Sequence, residues 1–284
     1  MKKILSSIVT FVVLIIGAFL YINDEFDGNF DIKSAITKYT TGSIENTDDD
    51  KNLIGEETNS ENYKFINDNQ TSLTEEDKKL LKTKGDNEFW ADYPELDKYG
   101  RAGEVTALVT SDSVHQHSSK VQERPSFAYN VHVAGEYKDG NFNREKQTWD
   151  GTESNNKILQ LSGYRGYIYN KSHSLAWSLG GDMETHNLTL GTRSQNVGTN
   201  KGSNGGGMGY AEVQIRNAIY DNPKTKVFYQ VTPVYKGKEL VPRGSHVRAY
   251  SINDDGNTIN INVWVSNTEK GYNINYSDGT YIQA

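Results

Sequence analysis

Near the C-terminus, Ile259, Ile261, Val263 and Val265 alternate with Asn260, Asn262, Trp264 and Ser266. Successive side chains on a strand point to opposite faces, so this spacing predicts a half-buried β-strand. Asp254-Asp255-Gly256 just before it is a hairpin turn signal. Lys226 to Tyr235, His246 to Ile252 and Tyr272 to Tyr276 predict further strands, the last followed by Asp278-Gly279. Between Gly207 and Tyr220 the period changes: Met208, Ala211, Ile215, Ala218 and Ile219 recur at helical spacing. Glu212 and Arg216 lie four apart and share one face of that helix, which Asp221-Asn222-Pro223 ends. Upstream, Leu73-Thr74-Glu75-Glu76-Asp77 reads as a helix start with acids in its first turn. From about residue 86 short apolar runs alternate with Gly, Asn and Asp turns, and no internal repeat interrupts them.

The first 80 residues have a different texture. Lys2 and Lys3 precede an uncharged apolar run, Ile4 to Ile22. A bilayer-spanning helix needs roughly 20 such residues. The run is longer than the usual apolar core of a cleavable signal, and no small-x-small site stands out near Gly17-Ala18. Residues 1–22 are therefore expected to be a membrane anchor or signal segment, with an uncleaved anchor preferred and the rest of the chain exported. Residues 23–79 carry 15 acidic against 6 basic side chains and few apolar ones, so they read as an acidic, disordered tether. The net charge of −7 argues at first against a nucleic-acid partner. From residue 80 onward the charges balance at 22 against 22, which leaves room for a local cationic groove. The 284 residues contain no cysteine, which excludes disulfides, zinc–thiolate sites and cysteine nucleophiles.

The densest polar information lies between Tyr164 and Arg216. An aromatic strand leads into Asn170-Lys171-Ser172-His173, then Leu179-Gly180-Gly181, Asn187-Leu188 and Gly191-Thr192-Arg193-Ser194-Gln195-Asn196-Val197-Gly198. A Gly-rich loop and the helix bearing Glu212 and Arg216 follow. This order resembles the DNA/RNA non-specific endonuclease family of the ββα-metal (His-Me finger) type, in particular its streptodornase and DNA-entry nuclease branch in Gram-positive bacteria. The resemblance extends over about residues 86–284. Tyr99-Gly100-Arg101-Ala102-Gly103 and Leu240-Val241-Pro242-Arg243-Gly244 also look like the family. It implies an α+β fold: a central, mostly antiparallel β-sheet with a ββα-metal site on one face. The endonuclease domain would span residues 80–284.

The resemblance also implies a chemistry. His173 matches the family's general base, and an imidazole with an ordinary pKa of roughly 6.5 can take a proton from water at neutral pH. Asn196 matches the metal ligand. The metal would be Mg2+, with Mn2+ as a substitute. Magnesium keeps most of its waters, so one neutral amide oxygen suffices when substrate phosphate completes the shell. Asn187 is expected to orient the metal or its waters, and Glu212 to hydrogen-bond metal-bound water. Lys171 stands where the family usually has arginine. It keeps the charge and loses the bidentate fork, which favours a phosphate contact over a structural pairing. Asn170 and Ser172 depart from the commonest Asp-Arg-Gly-His form. Arg193 and Arg216 are candidates to contact phosphate, which gives affinity without sequence reading.

Other features carry less. His115-Gln116-His117 would place two imidazoles on one side of a strand, yet no third ligand is evident, and its neighbours suggest an exposed loop. His186 has no family counterpart. Gly202 to Gly207 lacks the lysine and hydroxyl of a phosphate-binding loop. The tyrosines could stack on bases, though most suit strand cores. The expected function is an extracellular endonuclease that hydrolyses DNA, and possibly RNA, to 5′-phosphate products. The alternatives are a non-catalytic cell-surface receptor for DNA capture or uptake, and a polysaccharide-binding β-domain that leaves residues 164–216 unexplained.

Overall fold

A computed structural model of the chain describes residues 44, 46–198 and 205–284. The expected anchor (1–22), the first part of the expected tether and residues 202–204 of the Gly-rich run lie outside these. Residues 43–284 form one compact unit. Its first half runs α1 (Asp48–Asn52), β1 (Lys64–Phe65), α2 (Glu75–Lys84), β2 (Trp90–Asp92), β3 (Val105–Val109), α3 (Ser111–Gln116), β4 (Asn141–Asn143), β5 (Thr148–Asp150), β6 (Ile158–Leu161) and β7 (Tyr164–Tyr167). There follow β8 (Tyr169–His173), β9 (Leu188–Thr192), α4 (Arg193–Val197), α5 (Gly209–Asp221), β10 (Val227–Val234), β11 (Gly244–Ser251), β12 (Asn260–Ser266), β13 (Tyr272–Ile274) and β14 (Tyr281–Gln283).

The main sheet has six antiparallel strands in the spatial order β1, β12, β11, β10, β3, β2. The strand alternation read from the sequence settles its two faces. Val105, Ala107 and Val109 on β3, Val227, Tyr229 and Val231 on β10, Val247 and Ala249 on β11, and Ile261, Val263 and Val265 on β12 are all buried in one core. Met208 and the α5 residues Ala211, Ile215 and Ile219 fill that core from above, with Leu175 and Leu179 from the loop after β8. Each fully buried isoleucine contributes about 1.5–3 kcal/mol relative to exposure. The Asp254-Asp255-Gly256 signal is the β11–β12 connection, where Asp255 (φ 53°) and Gly256 (φ 76°) take the left-handed turn conformation.

On the opposite face Leu108 and Phe228 form a small apolar core with Leu81 of α2, and beside it one row is polar across four strands. Thr106, Gln230, Arg248 and Asn262 stand side by side in register. The acidic N-terminal stretch covers them. Arg248 donates to Thr71 Oγ1 (3.0 Å), Ser72 O (2.8 Å) and Asp77 Oδ2 (2.8 Å). Asp50 Oδ1 lies 2.7 Å from His246 Nδ1. Asn46 donates to Pro233 O and accepts from Tyr235 N. The capping box of α2 uses Thr74 and the same Asp77.

The tether expectation therefore does not hold for residues 46–79, and the ordered domain begins well before residue 80. The segment shows little apolar periodicity because hydrogen bonds and the Arg248–Asp77 pair hold most of it to the sheet, with Leu73 packing against the small core of Leu81, Leu108 and Phe228. Its acids are the partners of His246 and Arg248.

The β8–β9 hairpin is a separate two-stranded ladder, registered from Tyr169↔Thr192 to His173↔Leu188. α4 follows β9 without a break. Leu188, Leu190, Ile168 and Tyr169 bury it in a second core with Val131, Val133, Val241 and Tyr276. His115 and His117 fall on and just after α3, not on a strand. His117 Nδ1 contacts Ser113 O (2.9 Å), and the ring packs edge-on against Trp177.

Candidate active site

His173 ends β8. Its ring is enclosed: Phe127 stacks on it at 5.6 Å between centroids, and Nε2 lies 3.2 Å from Met183 Sδ. Burial lowers its pKa to about 4, helped by the Arg124 charge and opposed by Asp182, whose backbone the ring hydrogen-bonds. The ring is thus neutral at pH 7, the state a proton acceptor needs.

The loop from Ser174 to Asn187 holds this arrangement. Asn187 is fully buried and hydrogen-bonds backbone with its whole amide. Its Nδ2 donates to Leu175 O (2.9 Å) and Asp182 O (3.0 Å), and its Oδ1 accepts from Leu175 N (2.8 Å). The metal-orienting task expected of Asn187 does not match these contacts. It is a loop staple that fixes the Asp182 backbone against His173. His186, on the same loop, bonds Asp182 Oδ2 at 2.7 Å and stacks on Tyr93.

Asn196 sits on α4, whose first turn is capped by Thr192 Oγ1 accepting from Gln195 N (3.0 Å). Its side chain is half-buried, and its Oδ1 accepts from Ser172 Oγ at 3.1 Å. Gln195 O accepts from Met208 N (2.9 Å), which ties α4 to the start of α5. Glu212 lies in the first turn of α5. Its Oε1 accepts from Ser178 Oγ (2.6 Å) and Arg216 Nη1 (3.1 Å). The loop after His173 and the helix bearing Glu212 are therefore bonded directly.

The expected phosphate contacts are mostly occupied. Lys171 donates to Val131 O, lies 3.3 Å from Glu136 Oε1 and stands over the Phe127 ring. Glu136 in turn bonds His132 Nδ1 (3.1 Å) and Val133 N (3.1 Å). Lys171 has the structural pairing that its sequence context argued against. The acid that pairs it lies 35 positions upstream, in no motif. Arg216 is held by Glu212 and Ser178. Arg193 lies over the Tyr164 ring, and its charge acts on Glu269. Arg124 is different: it is exposed, makes no ion pair among the described residues, and stands over Phe127 on top of the His173 ring. Neither Arg124 nor Phe127 falls in the motif order, and nothing in the sequence distinguished them.

Among the described residues no group of three His, Cys, Asp or Glu side chains could hold a metal. That excludes a four-ligand structural zinc site there. The Asn196 oxygen has two lone pairs, of which Ser172 uses one.

The model of the DNA/RNA non-specific endonuclease family matches residues 131–253, which include His173, Asn196 and Glu212. The chain is similar to the DNA/RNA non-specific endonucleases. A deoxyribonuclease of Streptococcus dysgalactiae subsp. equisimilis is 35% identical over 200 residues, 66% of this chain. The match spans 59% of that relative's length. Among solved structures, Sda1 nuclease with a bound zinc ion superposes with a TM-score of 0.64 at 28% identity, covering 79% of this chain and 98% of that one. NucA from Streptococcus agalactiae with a bound magnesium ion gives 0.56 at 20% identity, covering 80% and 89%, a likeness of fold. The mixed architecture with a large antiparallel sheet, expected from the motif order, is thus shared with these nucleases.

Proposed function

We propose that this protein is an extracellular, metal-dependent endonuclease that hydrolyses DNA without sequence preference, with RNA as a second candidate substrate. One observation carries the reading. A neutral, enclosed imidazole at the end of β8 is one residue from a buried serine that holds a half-buried amide oxygen on α4. The imidazole supplies a proton acceptor, and the amide oxygen, linked to the same strand through Ser172, is a donor suited to a hard cation.

In the proposed reaction a water oxygen bonds to phosphorus and its proton passes to His173, while the P–O3′ bond breaks and the leaving O3′ takes a proton from solvent, giving a 5′-phosphate and a 3′-hydroxyl. Mg2+, or Mn2+ in its place, would be held by Asn196 Oδ1 and would neutralise charge on the phosphate and the leaving oxygen. Glu212, positioned by Ser178 and Arg216, presents its carboxylate to the surrounding waters. Arg124, exposed over the Phe127 ring, would supply a backbone phosphate contact, which gives affinity without sequence reading. Residues 4–22 would export the domain and, if uncleaved, anchor it at the surface of a Gram-positive cell.

The test is plasmid digestion by the full chain with Mg2+, with Mn2+ and with chelator. Fragments that accept ligation only while their 5′-phosphates are intact support the reading. Plasmid that stays whole across metals and pH yet is retarded on a gel would replace it with the surface-receptor alternative.

A further inference from the structure

Ser172 has a task that the motif order does not give it. It precedes His173 on β8, is 1% exposed, and pairs across the ladder with Thr189. Its hydroxyl donates to Asn196 Oδ1 at 3.1 Å. The room for this contact comes from Gly191 on β9. A Cβ added there would lie 2.7 Å from Ser172 Cβ and 2.2 Å from Gln195 Oε1, so any larger residue would push both away. Gly191 thus lets the strand bearing the base and the helix bearing the amide approach closely enough to bond.

An asparagine amide is nearly symmetric in shape, and its two ends do opposite things. The oxygen can ligate a cation, and the NH2 group cannot. An Asn196 side chain free to rotate would present its ligating end only part of the time. Among the described residues the buried Ser172 hydroxyl has no acceptor besides Asn196 Oδ1. Turning the amide over would strand that hydroxyl hydrogen in a buried place, which is unfavourable. The bond therefore selects one orientation and leaves the second lone pair of the oxygen for a further partner.

We propose that Ser172 is a positioning residue for the metal: it fixes the Asn196 amide with its oxygen toward the cation. This rests on the reading of Asn196 as the metal ligand, and the experiment separates the two. Ligand-orienting partners of this kind typically change metal affinity by 10–100-fold.

Mn2+ binding to the full-length protein without nucleic acid is measured by electron paramagnetic resonance for wild type, Ser172→Ala, Ser172→Gly and Asn196→Ala. Thermal melting runs in parallel, and cleavage is titrated with Mn2+. The proposal expects Ser172→Ala and Ser172→Gly to bind Mn2+ at least about 10-fold more weakly than wild type. Their melting should be nearly unchanged, and cleavage should recover at high Mn2+. Asn196→Ala should lose binding. Wild-type Mn2+ affinity in both Ser172 variants overturns the proposal while leaving the ligand reading intact. A loss of affinity that merely follows a loss of melting temperature also overturns it, making Ser172 a packing residue. Wild-type affinity in Asn196→Ala overturns the ligand reading and the proposal with it.

Discussion

Phe127→Ala should raise the pKa of His173. Burial is the largest cause of the depression to about 4, ahead of the Arg124 charge, and the Phe127 ring stacked at 5.6 Å covers one face of the imidazole. Removing it lets water in and moves the pKa toward the ordinary value of about 6.5. At pH 5 a ring titrating near 4 is about nine-tenths neutral, whereas one titrating near 6.5 is about 3% neutral. Full opening would therefore lower the proton-accepting fraction about 30-fold at pH 5 and little at pH 7.5. The assay is an NMR titration of the His173 ring in metal-free protein, with plasmid cleavage rates at pH 5 and 7.5. The same shift bears on stability. The folded pKa lies below the unfolded one, so between about 6.5 and 4 only the unfolded chain takes up the proton, and stability falls by about 3 kcal/mol as pH drops through that window. A Phe127→Ala protein whose His173 still titrates near 4 would refute the claim that this ring maintains the depressed pKa.

Four further outcomes follow from named contacts. Arg101→Ala should cost about 3–5 kcal/mol in denaturant unfolding, because it leaves the buried Asp97 carboxylate unpaired and frees the carbonyls of Gly237 and Glu239. Asp50→Asn should lower the melting temperature at pH 7 and progressively less toward pH 3. Burial raises the Asp50 pKa, but hydrogen bonds from His246 and Thr47 outweigh it and the net shift is downward. That contribution is present above the unfolded value of about 3.9 and is lost as pH falls through the folded one. Asn187→Ala should reduce cleavage and leave Mn2+ affinity within a few-fold, since its amide bonds only the loop backbone; a 10-fold or greater loss of Mn2+ affinity would restore the metal-orienting role. Arg124→Ala should weaken DNA binding alike for all sequences and reduce the slope of log K against log salt by about 1.

β12 and the helix α5 were legible because their apolar core residues recur at the strand or helix period, as Ile261, Val263 and Val265 or Ala211, Ile215 and Ile219 show, whereas β10, buried along its whole length, read as a strand from a β-rich run. His173, Asn196 and Glu212 lie close in the chain, and the β8–β9 hairpin, α4 and α5 that carry them are consecutive elements, so their order along 164–216 could be read locally. What escaped reading depends on partners far apart in the chain. Asp50 and Asp77 look like solvated acids until His246 and Arg248 meet them. Lys171 looks like a free phosphate contact until Glu136 pairs with it. Asn187 reads as a site residue because it matches a family asparagine, yet its amide bonds backbone that no side-chain pattern reveals. Phe127 and Arg124 lie in a stretch with no period and no regular structure, so only the fold places them over His173.

The central claim, that His173 is the proton acceptor of a hydrolytic site, is tested most directly by single-turnover cleavage of a labelled DNA duplex by wild type and His173→Ala at saturating Mg2+. DNA binding is measured in the same samples. The variant should bind DNA as wild type does and cleave it about 10²–10⁴-fold more slowly. Cleavage by His173→Ala within a few-fold of wild type would contradict that claim.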